Sequence, residues 1–270
     1  MIDTRALLNT ARAAVAEGAA LLGSSGPGEI HAKGERDFVT ELDIEIQTAM
    51  QKQLHSVTPW IGFLGEEAST TATDREDAEY VWTLDPIDGT SNFIHGLPLC
   101  AVSLALVHRG KPMIGVIQAP FLSLEYYAAE GSGAFCNGEP IAAGRAQNLR
   151  DAIVSIGDYA VGPRAAERNR RRFAITEALA ATVERVRMFG SAALDLVWVA
   201  EGRTDGCVML SNKPWDTAAG VLIARESGAV VTDSDGSPHS LRARHTIAAN
   251  PVISRELVRV VSTACEPPSF

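Results

Sequence analysis

Trp82-Thr83-Leu84-Asp85-Pro86-Ile87-Asp88-Gly89-Thr90-Ser91-Asn92-Phe93 is the stretch on which the reading of this chain turns. Tyr80-Val81-Trp82-Thr83-Leu84 is an apolar, β-prone run and reads as a buried strand. It passes straight into two aspartates three positions apart. Pro86 has no amide hydrogen and a fixed φ, so it stiffens the turn that holds both carboxylates. Gly89 lets backbone approach a ligand closely. A short helix starting at Asp88 or Gly89 would point free amides at an anion, which suits a phosphate. Taken alone, Asp85 and Asp88 could equally do no more than cap a turn.

Working outward, a second acidic strand end precedes this one. Trp60-Ile61-Gly62-Phe63-Leu64 reads as a strand and ends in Gly65-Glu66-Glu67. A third acid, Asp216, lies in Pro214-Trp215-Asp216, where Pro214 suits the first turn of a helix. Glu66, Glu67, Asp85, Asp88 and Asp216 together make a hard-oxygen site, which favours Mg²⁺ or Mn²⁺ over zinc. Glu67 could instead point to solvent, and Lys33 reads as a solvated surface charge. Thr40-Glu41-Leu42-Asp43 fits the capping-box pattern that opens a helix over Ile44, Ile46, Met50 and Leu54.

The remaining periodicities fill in the order of elements. Residues 4–22 have helical apolar spacing, stopped by Gly23 and Gly26-Pro27-Gly28. Residues 68–78 read as a polar loop. Strands are expected at 101–107, 113–118 and 124–128, and the Gly-rich stretch 131–144 reads as loop, turn and the seam between two lobes. The second half reads as a strand at 152–157, a helix at 165–181 with a basic start, a strand at 185–188 and a helix at 192–201. A strand at 206–210, a helix from Pro214 to Ala224, strands near 229–232 and 246–249 and a final helix at 253–263 follow. Strands and helices interleave without a regular βαβ repeat, so a layered α/β or α+β sandwich is expected. It should form one bilobed unit, with residues 1–145 carrying most of the acidic motifs and residues 146–270 completing the site.

Composition narrows the function. The 270 residues carry 24 Lys plus Arg against 33 Asp plus Glu, a net charge of −9, with 46% hydrophobic and 21% charged residues. That is a globular composition, long enough for a real core. An acidic chain without a long Lys/Arg run is a poor nonspecific nucleic-acid binder. No apolar run approaches the length of a membrane span. The N-terminal stretch lacks the basic head and unbroken apolar segment of a signal peptide, so a cytoplasmic protein is expected. Cys100, Cys136, Cys207 and Cys265 have no CxxC spacing and read as reduced thiols rather than zinc ligands or disulfides. His31, His55, His108, His239 and His245 show no metal-binding pair spacing, and His95 is expected near the rim of the site.

Three stretches resemble the inositol monophosphatase family of magnesium-dependent, lithium-sensitive phosphatases. They are Gly65-Glu66-Glu67, Trp82 to Phe93, and Gly190-Ser191-Ala192-Ala193 continuing to Trp215-Asp216-Thr217-Ala218-Ala219-Gly220. Lys33 with Asp37-Phe38-Val39-Thr40-Glu41-Leu42-Asp43 adds family-like order, so the resemblance runs from about residue 30 to 250. It implies an αβαβα sandwich of the sugar-phosphatase type and a homodimer. It also implies that Glu66, Asp85 and the Ile87 carbonyl hold one Mg²⁺ and that Asp85, Asp88 and Asp216 hold a second, with Glu66 facing a third, weakly held ion. Thr90 and Asp43 would orient and deprotonate water, with Asp43, Thr90 and Glu66 the catalytic set. The amides of Gly89 and Thr90 would receive phosphate, and Gly190, Ser191, Ala192 and Asp216 would meet the rest of the substrate.

The activity implied is hydrolysis of a small polyol phosphate, inositol 1-phosphate above all. Histidinol phosphate, fructose 1,6-bisphosphate and 3′-phosphoadenosine nucleotides are alternatives, as is an inactive regulatory protein that binds a phosphate ester. One position departs from the family. Seven residues before Asp216, where inositol-type members carry an acid for sugar hydroxyls, stands Met209, unless Asp205 takes over that contact. A thioether cannot accept those hydrogen bonds as a carboxylate does, and a polar group left unpaired there costs about 1–3 kcal/mol. The arginines at 164, 168 and 170–172 read as an exposed helix face or as neighbours of a partner subunit's site. Asp158 reads as a polar group of the pocket.

Overall fold

Asp3 starts the first helix by accepting a hydrogen bond from the Ala6 amide at 3.0 Å, and α1 (Thr4–Ser24) follows. A hairpin of β1 (Ile30–Gly34) and β2 (Asp37–Thr40) leads into α2 (Glu41–Val57). Then come β3 (Gly62–Gly65), β4 (Tyr80–Asp88), the short α3 (Thr90–Ile94), β5 (Ala101–His108), β6 (Lys111–Ala119) and β7 (Leu124–Ala129). β8 (Ala134–Cys136) and β9 (Glu139–Ile141) end the first half. The second half holds β10 (Ile153–Ile156), α4 (Ala165–Ala180), β11 (Arg185–Arg187), α5 (Ala192–Glu201), β12 (Gly206–Met209) and α6 (Pro214–Glu226). It closes with β13 (Val230–Thr232), β14 (Thr246–Ala249) and α7 (Ser254–Ala264). The computed structural model describes residues 2–67 and 78–264. The polar stretch expected as a loop therefore lies almost wholly outside the described residues, as does Cys265.

Two sheets organise these elements. A seven-stranded sheet runs β3-β4-β5-β6-β7-β8-β9, antiparallel except for β3 with β4. A five-stranded mixed sheet runs β11-β10-β12-β14-β13. Helices α1 and α2 cover the outer face of the first sheet through Leu22, Ile46, Met50 and Leu54, which meet Trp82, Leu104 and Ile114. Helices α5 and α6 fill the space between the sheets with Leu194, Val197, Val221 and Ile223. Helices α4 and α7 cover the far face of the second sheet with Ile175, Leu179, Leu257 and Val261. The result is a five-layer αβαβα sandwich, the order that the family resemblance implies within the layered α/β class expected from the element pattern.

The middle helices are the layer that positions the site. Gly115 on β6 lets α6 approach closely, since a Cβ there would lie 2.7 Å from the Ala219 carbonyl oxygen. Burial of this whole apolar layer is the main force holding α5 and α6, and so their N-termini, against both sheets.

Some expectations need correction. Residues 131–144 are not wholly loop, because β8 and β9 extend the first sheet there. The β1–β2 hairpin has no strong alternation and goes unread in the sequence. The turn expected at Asp85-Pro86 is instead a continuation of β4, with a register break between Asp85 and Asp88. Proline has no ladder donor to lose, so it is tolerated at such an irregularity. The described cysteines, Cys100, Cys136 and Cys207, are free and buried, as expected.

Candidate active site

The irregular end of β4 buries both aspartates and turns them towards neighbouring backbone. Asp85, 2% exposed, accepts a hydrogen bond from the Ile87 amide at 3.1 Å. Asp88 reaches across to α5. Its Oδ1 accepts from the Ala192 amide at 3.1 Å and its Oδ2 from the Ala193 amide at 2.9 Å and from the Ser191 hydroxyl. Ser191 in turn caps α5 by accepting from the Leu194 amide at 3.2 Å. An anion at a helix N-terminus is stabilised by unpaired amides and by the helix dipole. Asp88 is thus a strut between the first sheet and the middle helices as well as a candidate metal ligand. Ala192, expected to meet the substrate, has its amide engaged by Asp88.

Gly89 follows with φ of +91°, and a Cβ there would stand 2.8 Å from the Leu99 carbonyl oxygen. Only glycine fits that turn. Thr90 opens α3, and its hydroxyl lies 2.9 Å from the Ile87 carbonyl and 3.3 Å from Asp43 Oδ1. Asn92 fastens the turn to the second half by donating to the Leu99 and Phe189 carbonyls, both at 2.7 Å.

Asp43 serves two roles at once. Its Oδ2 accepts from the Thr40 amide at 2.8 Å and the Thr40 hydroxyl at 2.5 Å, closing a capping box on α2. Its Oδ1 faces Thr90. Burial raises its pKa above the ordinary carboxylate range, against the opposing bonds from Thr40.

Glu66 and Glu67 are set at the end of β3 by Gln47. That side chain donates to the Glu67 carbonyl at 2.8 Å and accepts from the Glu67 amide at 3.0 Å. Lys33 corrects the reading made from sequence. It is no solvated charge, because its Nζ lies 3.0 Å from Glu66 Oε1 and 2.5 Å from Glu67 Oε1. Glu67 is buried rather than turned to solvent. Burial opposes the charge on both partners. The ammonium pKa is nonetheless raised by the two glutamates, whereas burial outweighs Lys33 at Glu67 and raises that carboxyl.

Asp216, in the first turn of α6, completes the group. Burial first, then the charges of Asp88 and Glu66, push it up to about 8. Burial and then Glu66, Asp88 and Asp216 hold Asp85 well above its ordinary value. Asp88 rises only to about 6, since Ser191, Ala193 and Ala192 offset its burial. Carboxylates from three separate stretches therefore share one poorly solvated space and repel one another.

Among the described residues, no group of three or more His, Cys, Asp or Glu side chains is already arranged to hold a metal ion. The donors fit a hard divalent cation by their chemistry, being buried oxygens with uncompensated repulsion. Two cations act on them among the described residues: the Lys33 ammonium, paired with Glu66 at 3.0 Å, and Lys213, whose charge weakly opposes the rise at Asp216. Beside Asp216 opens a cavity of about 160 Å³, lined also by Gly190, Ser191, Ala192 and Met209. Met209 is thus on the wall of the site, as counting back from Asp216 places it. Asp205 is engaged elsewhere, accepting from the Ile153 and Ala146 amides at 3.1 and 3.3 Å. His95 is exposed, as expected of a rim residue, with Nδ1 2.8 Å from the Ser91 carbonyl oxygen.

The basic helix divides. Arg164 is exposed and pairs with Glu167 at 2.9 Å, whereas Arg172 is 8% exposed and reaches the Asp158 carbonyl at 3.2 Å and the Leu210 carbonyl at 3.4 Å. It joins the ends of β10 and β12, the two strands beside the cavity. The roles of Gln47, Asn92 and Arg172 go unread in the sequence: Gln47 has no motif of its own, Asn92 stands in the Trp82–Phe93 stretch but ties it to Phe189 about a hundred positions away, and Arg172 reads as one more arginine of an exposed face.

The sequence profile of the inositol monophosphatase family matches residues 3–266. The chain belongs to the inositol monophosphatase family. That family is one of phosphatases, so the chain is an enzyme of the phosphoric monoester hydrolase class. A fructose-1,6-bisphosphatase/inositol-1-monophosphatase of Thermotoga maritima is 38% identical over 86% of this chain and 86% of its own. The inositol monophosphatase of Anabaena superposes with a TM-score of 0.85 at 30% identity, covering 99% of this chain and 98% of that one. The extragenic suppressor protein suhB of Bartonella henselae superposes with a TM-score of 0.87 at 33% identity, over 95% and 98% of the two chains.

Proposed function

We propose that this inositol monophosphatase family member is a Mg²⁺-dependent phosphomonoesterase of small polyol phosphates, acting on inositol 1-phosphate or a close analogue. The observation that carries this is the convergence of Glu66, Asp85, Asp88 and Asp216 in one buried space beside the cavity. With the Ile87 carbonyl, these residues would hold two or three Mg²⁺ ions, with Mn²⁺ as a substitute. When bound, such ions supply positive charge for the phosphate dianion, a more acidic water and stabilisation of the leaving alkoxide.

The chain's own residues do the rest. Asp43, fixed by Thr40, accepts a proton that an attacking water passes through the Thr90 hydroxyl, 3.3 Å away. Glu66 helps to orient that water. Amides at Gly89 and Thr90 meet phosphate oxygens. Gly190, Ser191 and Asp216 line the space for the organic half. The whole would work as one bilobed unit of residues 1–145 and 146–270, as a homodimer in the cytoplasm. Among the described residues, no helix is long and apolar enough to cross a membrane.

Phosphate release from inositol 1-phosphate, with and without Mg²⁺ and with added Li⁺, tests this reading. Turnover that needs Mg²⁺ and falls with Li⁺ is expected. Undiminished turnover in chelator, or none of any monoester with Mg²⁺, overturns it. Histidinol phosphate, fructose 1,6-bisphosphate and a 3′-phosphoadenosine nucleotide in the same assay rank the alternatives.

A further inference from the structure

The side of the cavity away from β4 is acidic and unfinished. Asp158, just beyond β10, lines it with a carboxylate that has no hydrogen bond or ion pair among the described residues. Asp195, on α5, also lines it and is 1% exposed, with its Oδ1 buried and unpartnered. The hydroxyl of Ser155 on β10 faces Asp195 but closes no bond of good geometry and is itself without a partner. The lining includes three carboxyl side chains, at Asp158, Asp195 and Asp216, and no Lys, Arg or His. Asp216 is committed to the acidic group around Asp88 and Glu66. Asp158 and Asp195 are left for whatever occupies the cavity. A buried polar group without a partner is costly, so a ligand that supplies donors there is strongly favoured.

We propose that Asp158 and Asp195 set substrate specificity in place of the acid missing at Met209, and that among small alcohol phosphates they favour one whose alcohol carries an ammonium group over the all-hydroxyl inositol ester. This rests on the phosphatase reading above. Burial raises the pKa of both carboxyls, Asp195 well above its ordinary value, so an ammonium group placed against them favours their ionised form whereas a second anion opposes it. The wall takes a neutral hydroxyl without compensating its charge, and pairs fully only with a cationic donor. Bisphosphates and nucleotide phosphates are thereby disfavoured, because their extra anion would fall against Asp158.

Three matched esters test this: O-phosphoethanolamine, 2-hydroxyethyl phosphate and phosphoglycolate, which end in ammonium, hydroxyl and carboxylate. With Mg²⁺ the wild-type protein is expected to show kcat/KM about tenfold higher for the ammonium ester than for the hydroxyl ester, and higher still relative to the carboxylate. The preference should shrink with added salt, as a partly exposed charge contact does. Asp158→Asn should reduce it to within about threefold, and Asp195→Asn should reduce it in the same direction. Equal use of the ammonium and hydroxyl esters by wild type, a preference for phosphoglycolate, or an undiminished preference in both variants overturns the inference. If none of these esters nor inositol 1-phosphate is hydrolysed, the phosphatase reading itself falls. Hydrolysis without preference removes this inference alone.

Discussion

On the β4 side of the cavity each acid is held by partners from its own neighbourhood. Asp88 takes three donors from the start of α5, Asp43 two from Thr40, and Glu67 one from Lys33. On the β10–β12 side, Asp158 and Asp195 face the cavity with carboxyl oxygens left unengaged. The first side is rigid and pre-organised, as a site for charge chemistry must be. On the second, the backbone beside the cavity is held by the Arg172 side chain at the Asp158 and Leu210 carbonyls, and the acidic side chains are left to a ligand. The chemistry is thus fixed by side-chain geometry, and the choice of substrate by what the end of β10 and the cavity face of α5 present.

The sharpest way to break this contrast is Asp88→Asn. From the motif alone that variant is expected to abolish turnover and leave the fold largely intact. The structure revises the second half of that expectation. An asparagine has one acceptor oxygen for the three donors at Ser191, Ala192 and Ala193, and its amide hydrogens face donors. We expect turnover to fall roughly 10³-fold or more and stability to fall by about 1–3 kcal/mol, read by steady-state kinetics and urea unfolding. Near-normal turnover at saturating Mg²⁺ would remove Asp88 from the metal site. Unchanged stability would remove it as a strut.

The same contrast explains what the sequence could reveal. A layered α/β or α+β sandwich, the helices at 192–201 and from Pro214, and the acids from Glu66 to Asp88 are legible because periodicity and contiguous motifs carry them, whereas the αβαβα order comes only with the family resemblance. Asp43 is legible twice over, since a capping box and a partner for Thr90 are both present. The bridging of Glu66 and Glu67 by Lys33 is not legible, because the two strand ends are more than thirty positions apart and a lone lysine is most often solvated. Nor is the split of the arginine cluster, where only burial against β10 and β12 separates Arg172 from its neighbours. The lone Met209 is legible as a departure, but what replaces it depends on how Asp158, just beyond β10, and Asp195, on α5, are brought to one cavity.

A smaller effect, confined to the second side, is expected from Arg172→Met. The methionine fills much of the volume but leaves the Asp158 and Leu210 carbonyls without their donor. Stability should drop by about 1–3 kcal/mol. The loosened strand ends should raise KM about tenfold with kcat within a factor of about two, since the groups around β4 are untouched. Arg172→Lys should restore part of the loss in KM. An equal fall in kcat would place Arg172 with the chemistry instead of with the pocket.

The mildest test concerns the network behind residues 211–213. His239 is 6% exposed, and its Nε2 lies 2.9 Å from the Thr246 hydroxyl. Asn212 Nδ2 donates to the Ala243 carbonyl at 3.1 Å, so its Oδ1 accepts from Thr246 at 3.0 Å. Thr246 has no second proton to give, so Nε2 carries the hydrogen and Nδ1, which is buried without a partner, does not. Burial, and then the nearby Arg225 against a weaker pull from Asp233, lowers the His239 pKa to about 4. A depressed histidine contributes stability above its unfolded pKa of about 6.5 and loses it as pH falls through its folded value. Wild type should therefore lose about 2 kcal/mol more than His239→Gln between pH 7 and pH 4.5. Glutamine cannot titrate and keeps a donor for Thr246. Parallel losses in the two proteins, measured by urea unfolding at each pH, would show that His239 is protonated without penalty, and that the loop before Asp216 is braced by something other than this neutral ring.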